Sequence, residues 1–211
     1  MLSLPGHLTA AILPHTPHAK LISEIATEQG HDIIMHLPME AFTRPDLLGP
    51  GALMADMDQT ALVDQFERSI ASIPNVIGFN NHMGSLLTED TERMRWLMDE
   101  AKNKSFFFLD SKTSQASIAE NIASQMGVPS IGRDIFLDHK GLHSSIADQF
   151  VRLKNIARKN GQVVVICHPY PETLAFLSDN IDQLAEEFEL VGLSALLETK
   201  AIQTNPILTA K

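Results

Sequence analysis

Short apolar runs with strand character alternate with amphipathic segments of helical period along the whole chain. The strand candidates are Thr9 to Leu13, Asp32 to Leu37, Val76 to Asn80, Ser105 to Asp110, Asp134 to Leu137, Gln162 to His168 and Glu189 to Ser194, seven in all. The intervening helices have physical boundaries. Asp58 is placed to cap a segment that carries Leu62, Phe66, Ile70 and Ile73 on one stripe, and Pro74 closes it. A second segment follows Thr88 and the acidic Glu89, Asp90 and Glu92. Its apolar face is Met94, Leu97, Met98 and Ala101, and Lys102 and Lys104 suit the negative end of the helix dipole. A third runs from Ser144 or Ser145 through Ile146, Phe150, Leu153 and Ala157 and stops at Asn160-Gly161.

Repeated βα units of this kind predict a parallel sheet with helices outside it. Strand interiors alone do not separate an open doubly wound sheet from a closed barrel. No G-x-G-x-x-G and no G-x-x-x-x-G-K-[ST] follows any strand, which lowers the nucleotide-binding members of the open class and favours a barrel of seven or eight strands. At 211 residues the chain reads as a single domain spanning 1–211.

Composition narrows the function more than the fold. With 44% hydrophobic and 20% charged residues the chain builds an ordinary globular core rather than a disordered or fibrous segment. The 16 Lys and Arg against 26 Asp and Glu give a formal charge of −10, which opposes nucleic-acid backbones and anionic lipid surfaces. Cys167, the one cysteine, cannot form an intramolecular disulfide. The longest apolar run, Val163 to Cys167, is far short of the ~18 residues a membrane span needs. The N-terminus lacks a basic stretch leading into an apolar one, so the expectation is a soluble chain without an export signal.

The chemistry is concentrated at strand ends. His36, His82, Asp110 and His168 each stand at or just past the C-terminal end of a strand candidate, where parallel α/β folds build their sites. Singly, each is as readily a hydrogen-bonded structural residue; together they predict one pocket in which imidazole and carboxylate, without thiolate, hold a catalytic Zn²⁺ or a harder divalent ion. Strand alternation turns Cys167 away from its neighbour His168, as a small buried hydrophobe. His15 and His18 form an H-x-x-H that decorates a helix start, and His31, His139 and His143 fall in polar turns expected to be exposed. There is no G-x-S-x-G, so Ser85 and Ser111 are weak candidates for a hydrolase nucleophile.

Six segments carry a family resemblance: His36-Leu37-Pro38-Met39-Glu40, Gly49-Pro50-Gly51-Ala52-Leu53, Asn80-Asn81-His82-Met83-Gly84-Ser85, Phe108-Leu109-Asp110-Ser111-Lys112-Thr113, Arg133-Asp134-Ile135-Phe136-Leu137-Asp138 and His168-Pro169-Tyr170-Pro171-Glu172-Thr173. In order and spacing the chain resembles the divergent polysaccharide deacetylases over nearly its whole length. The resemblance implies a distorted (β/α) barrel, here of seven strands and lacking the family's first strand. It implies a metal-dependent hydrolase that removes acetyl groups from N- or O-acetylated carbohydrate, and a periplasmic or extracellular setting for relatives that carry an export signal.

On that resemblance His36 and His82 are the expected metal ligands, with Glu40 in the place of the second histidine of an H-x-x-x-H motif. Asp110 is the expected base or orienting carboxylate, His168 the acid for the leaving nitrogen, and Asn80, Asn81 and Ser111 the donors to substrate or oxyanion. Family members usually open with an Ile-Asp-Asp-type strand, whereas no Asp precedes Asp32 here. The resemblance therefore leaves open a shortened enzyme, a site that works without that strand, or an inactive glycan-binding module of the cell envelope with the same barrel.

Overall fold

The computed structural model describes residues 1–139 and 143–204, which form two compact units. The larger comprises His7–Ile131 and the C-terminal segment from Val191; the smaller comprises Met1–Gly6 and Gly132–Leu190.

In the larger unit the chain runs β1 (Thr9–Ile12), α1 (Ala19–Glu28), β2 (Asp32–Met39), α2 (Gln59–Ala71), β3 (Gly78–Met83), α3 (Thr91–Asn103), β4 (Phe107–Asp110), α4 (Ala119–Met126) and β5 (Ser130–Gly132). The parallel sheet has the order β1-β2-β3-β4-β5. Each strand is therefore laid beside its predecessor, with no reversal of strand order. That is the winding of a barrel-like fold and not of a doubly wound sheet, whose order must turn back at a switch point. β2 is buried on both faces except at Asp32 and His36, as expected of a parallel strand covered by helices.

The helix signals act as local chemistry requires. The Asp58 carboxylate accepts from the Ala61 amide at 2.8 Å and starts α2, whose Leu62 and Phe66 are fully buried. Phe66, Phe79 and Phe108 then stack through the core with centroids 5.3 and 5.0 Å apart. At α3 the cap is Asp90, which accepts from Glu92 and Arg93 amides at 3.0 Å, while Thr88 lies in the preceding 3-10 turn Leu87–Glu89 and donates to the Gly84 carbonyl. The capping oxygen must sit two or three residues before the amides it serves, and only Asp90 satisfies that spacing for this helix.

The smaller unit contains β6 (Ile135–Phe136), α5 (His143–Asn160), β7 (Val165–Ile166) and α6 (Pro171–Ala185). β6 and β7 pair in parallel. Ile135, Leu137, Ile146, Phe150, Leu153 and Phe176 lead its core, and Cys167 packs against it. Burial pushes the Cys167 thiol up to about 12, as befits an inert apolar position.

The described strands number seven but not as the sequence pattern predicts. They pair as sheets of five and two rather than in one continuous seven-stranded cylinder. Ser130–Gly132 is a strand too short to show in the pattern, whereas Glu189–Ser194 is not a strand. Its second half opens α7 (Leu193–Thr204), because the Asp32 carboxylate accepts from both the Ser194 amide and hydroxyl at 2.8 Å. A capping group 162 positions away in sequence leaves no local trace. His31 is also a correction: it is buried, and its Nδ1 accepts from the Leu8 amide at 3.2 Å. His139 is exposed as expected, and the side chain of His143 lies outside the described residues.

Candidate functional site

Register decides which strand-end residues meet. In the β2–β3 ladder His36 lies opposite Asn80 and Pro38 opposite His82. Alternation along the strands then places His36, Asn80 and His82 on one face, with Leu37 and Asn81 on the other. Immediately after His82 the chain turns through Met83 (φ 54) and Gly84 (φ 86). A Cβ at Gly84 would stand 3.0 Å from that of Met39, so glycine meets both the left-handed backbone and the close approach.

The two half-buried imidazoles touch. His36 Nε2 and His82 Nδ1 are 3.1 Å apart, with ring centroids 4.8 Å apart at 64°. The outer nitrogens face other groups: His82 Nε2 lies 3.1 Å from the Leu47 carbonyl and His36 Nδ1 lies 2.9 Å from Asn80 Oδ1. A carbonyl oxygen only accepts, so His82 Nε2 carries the proton and its Nδ1 is bare in the neutral ring. The two facing nitrogens are at hydrogen-bonding distance, 3.1 Å, with donor and acceptor set by the tautomer each ring adopts.

The other expected ligand goes elsewhere. β2 ends at Met39, and Glu40 joins the following loop: its amide donates to Leu53 O and its carboxylate accepts from the Ala55 amide at 2.6 Å. Among the described residues there is no group of three or more His, Cys, Asp or Glu that could hold a metal. His15 and His18 follow the reading of the sequence, with His15 Nε2 3.3 Å from Ser69 Oγ and His18 at the start of α1.

Asp110 is turned away from the histidine face. Leu109 lies opposite Asn80, so Asp110 shares the side of Asn81. It is almost fully buried, and its two oxygens accept from the Lys112 amide at 2.8 Å and from Ser117 Oγ at 2.7 Å. Asn81 is fully buried too: Oδ1 accepts from the Ser111 amide, and Nδ2 donates to Met83 O and Thr113 Oγ1. These two polar residues shape the loop after β4. Asn80 and Ser111 stay on the histidine face, where Asn80 Nδ2 donates to Ser111 Oγ at 3.0 Å.

His168 belongs to the smaller unit, just beyond β7, and its partner is one that the strand-end reading passed over. Asp138 accepts from the His168 ring at 3.1 Å, from its amide at 2.6 Å and from Thr173 Oγ1 at 2.9 Å. Burial pushes the Asp138 carboxyl up, but those three hydrogen bonds and the His168 ring outweigh it and hold the group below the usual carboxylate range. The His168 ring is stacked on Tyr170 at 4.9 Å and lies 5.3 Å from Phe136. Asp138 stands two residues past β6, so the rule that singled out Asp110 applies to it equally.

The sequence profile of the divergent polysaccharide deacetylases matches residues 1–197. The chain belongs to that family. This deacetylase-family chain is 34% identical over 200 residues to an uncharacterized protein of Haemophilus influenzae, an alignment that takes in 95% of this chain and 71% of the relative. It is 31% identical over 205 residues to the uncharacterized protein YibQ of Escherichia coli, across 97% of this chain and 64% of that protein. The chain thus spans under two thirds of the length of the second relative. The crystal structure of an uncharacterized protein from Agrobacterium tumefaciens matches with a TM-score of 0.84 at 27% identity, covering 89% of this chain and 77% of that one.

Proposed function

We propose that this family member is a metal-dependent hydrolase that removes acetyl groups from N- or O-acetylated carbohydrate of the cell envelope. The observation that carries the reading is the pair of imidazole nitrogens facing each other at 3.1 Å on the histidine face of β2 and β3. His36 and His82 would hold the ion, and imidazole donors suit Zn²⁺. Bound there, a divalent ion supplies a polarised acetyl carbonyl and a water whose pKa falls towards ~7.

The remaining steps belong to the protein's own groups. His168, whose ring is oriented by Asp138, is the residue that the family resemblance casts as the acid for the leaving nitrogen or oxygen. The carboxylate holds the imidazole tautomer and stabilises the charged ring. The Ser111 hydroxyl, which accepts from Asn80 on the histidine face, is the group placed to donate to substrate or developing oxyanion. Asp110 and Asn81 act through the loop they brace and not as base or substrate contact.

The test is acetate release. The protein supplied with Zn²⁺, Mn²⁺ or Co²⁺ is expected to release acetate from acetylated chitooligosaccharides or peptidoglycan fragments; no release with any of the three overturns the enzymatic reading. One observation favours a second reading, an envelope glycan-binding module without turnover: Glu40 turns to Ala55, and no third ligand joins the pair among the described residues. Glycan binding that survives both chelation and His82→Ala, without acetate release, selects that reading.

A further inference from the structure

A buried carboxylate fixes an aromatic ring at the surface of the smaller unit. Asp138, whose side chain has no exposed area, accepts from the His168 amide at 2.6 Å and from Thr173 Oγ1 at 2.9 Å, one tie on each side of Tyr170. Between those ties the chain reads Pro169-Tyr170-Pro171. A residue that precedes proline is pushed to extended backbone, and Tyr170 stands at φ −70° and ψ 149° with Pro171 opening α6. The segment has little freedom left. Tyr170 is nonetheless 47% exposed.

The ring is held as well as the backbone. Tyr170 stacks on His168 with centroids 4.9 Å apart at 29°, and the same imidazole lies 5.3 Å from Phe136 at 37°. The Arg133 guanidinium lies over the Phe136 ring at 5.2 Å. His168 is itself turned by Asp138 at its Nδ1, and its side chain is 40% exposed. The surface therefore presents a flat apolar face with an imidazole edge beside it. A single exposed apolar side chain is ordinary, but one pinned on both flanks and stacked on one face is preorganised, and loses little rotamer freedom when a ligand lands on it.

A matching ligand is flat, apolar across its face and hydroxylated around its rim, which describes a pyranose. A nucleobase has a similar outline, but the formal charge of −10 opposes the phosphates of a nucleic acid. We propose that Tyr170 is a sugar-binding residue: a pyranose ring of the glycan lies on its exposed face, with rim hydroxyls toward His168. This rests on the carbohydrate reading above, holds for both its hydrolase and its binding-module forms, and needs no metal ion.

The chain has one tyrosine, so protein labelled with ¹³C in the tyrosine ring gives the signals of Tyr170 alone. Titration with acetylated chitooligosaccharide, without added metal, is expected to shift these signals saturably. The ring protons of the bound sugar should move upfield, the signature of C–H groups over an aromatic face. Calorimetry should find affinity kept in Tyr170→Phe and Tyr170→Trp and lowered about 10-fold in Tyr170→Leu, which is apolar without the π face. Equal affinity in wild type and Tyr170→Leu, or glycan bound or deacetylated while the tyrosine signals stay unmoved, overturns the proposal and leaves the carbohydrate reading standing. Neither binding nor acetate release by the wild type overturns both.

Discussion

The molecule orients its histidines by two means. In the larger unit His36 and His82 face each other, imidazole to imidazole, with the Asn80 amide and the Leu47 carbonyl at their outer nitrogens. In the smaller unit His168 faces a fully buried carboxylate, Asp138, that also holds its backbone amide. The first pair is where, in the proposed reading, a cation would be held. The second carries its counter-charge within the fold and so keeps one ring nitrogen for proton transfer. These imidazoles therefore differ in chemistry through the group that a ring nitrogen meets, a neutral amide or carbonyl in the larger unit and a carboxylate in the smaller.

The sharpest way to break this contrast is to remove one ring from each. His82→Ala is expected to abolish tight Zn²⁺ binding and all acetate release, a loss larger than the 10- to 100-fold that follows from losing an outer hydrogen bond. His168→Ala should leave Zn²⁺ affinity unchanged while turnover falls about 10²- to 10⁴-fold, the range of a lost general acid. Metal titration and acetate assays on the same two proteins measure both; a large affinity loss in His168→Ala erases the distinction.

The counter-charge itself gives a pH test. Asp138→Ala deletes an acceptor serving three donors and should cost on the order of 3 kcal/mol at neutral pH, as hydrogen bonds to charged groups are worth roughly 1.5–3 kcal/mol each. The Asp138 carboxyl is held below its ordinary range in the folded protein, so the unfolded chain binds its proton first as pH falls. Its contribution is complete above the unfolded carboxylate pKa and drains away as pH drops through the folded value. Thermal unfolding of wild type and variant should thus converge in acid; a gap that stays constant down to the lowest pH contradicts the pairing. The smallest effect concerns Cys167, beside His168. Its thiol, raised to about 12 by burial, should resist a disulfide reagent at pH 8 in the native protein and react at once in denaturant. Rapid native labelling shows that the strand end carrying His168 opens.

Much of the frame was legible because its causes are local. Asp58 caps the helix whose apolar stripe it precedes, and Asn160-Gly161 ends the helix that Ile146 and Phe150 anchor. The order of strand and helix also placed His36 and His82 toward the C-terminal ends of neighbouring strands, where register brings their rings together. The reading failed where an interaction is distant. Nothing near Leu193 signals that Asp32 will cap it, and apolar composition at 189–194 resembles a strand as much as a buried helix start. Glu40 has the spacing of a ligand from His36, yet the end of β2 hands it to the Ala55 amide. Asp110 and Asp138 stand at comparable strand ends, but one serves a loop and the other a histidine.

Hydrophobic period, helix caps and the placing of ionisable residues at strand ends were written into the chain, since each depends on neighbours within a turn or two of backbone. Which nitrogen of an imidazole bears the proton, which way an amide points, and which carboxylate meets which ring were decided by folding. His36 and Asn80 are 44 positions apart, and His82 and Leu47 are 35 apart. Hydrogen-bond direction is a property of the pair that meets, and only the register of β2 on β3 and the path of the loop between them bring these pairs together.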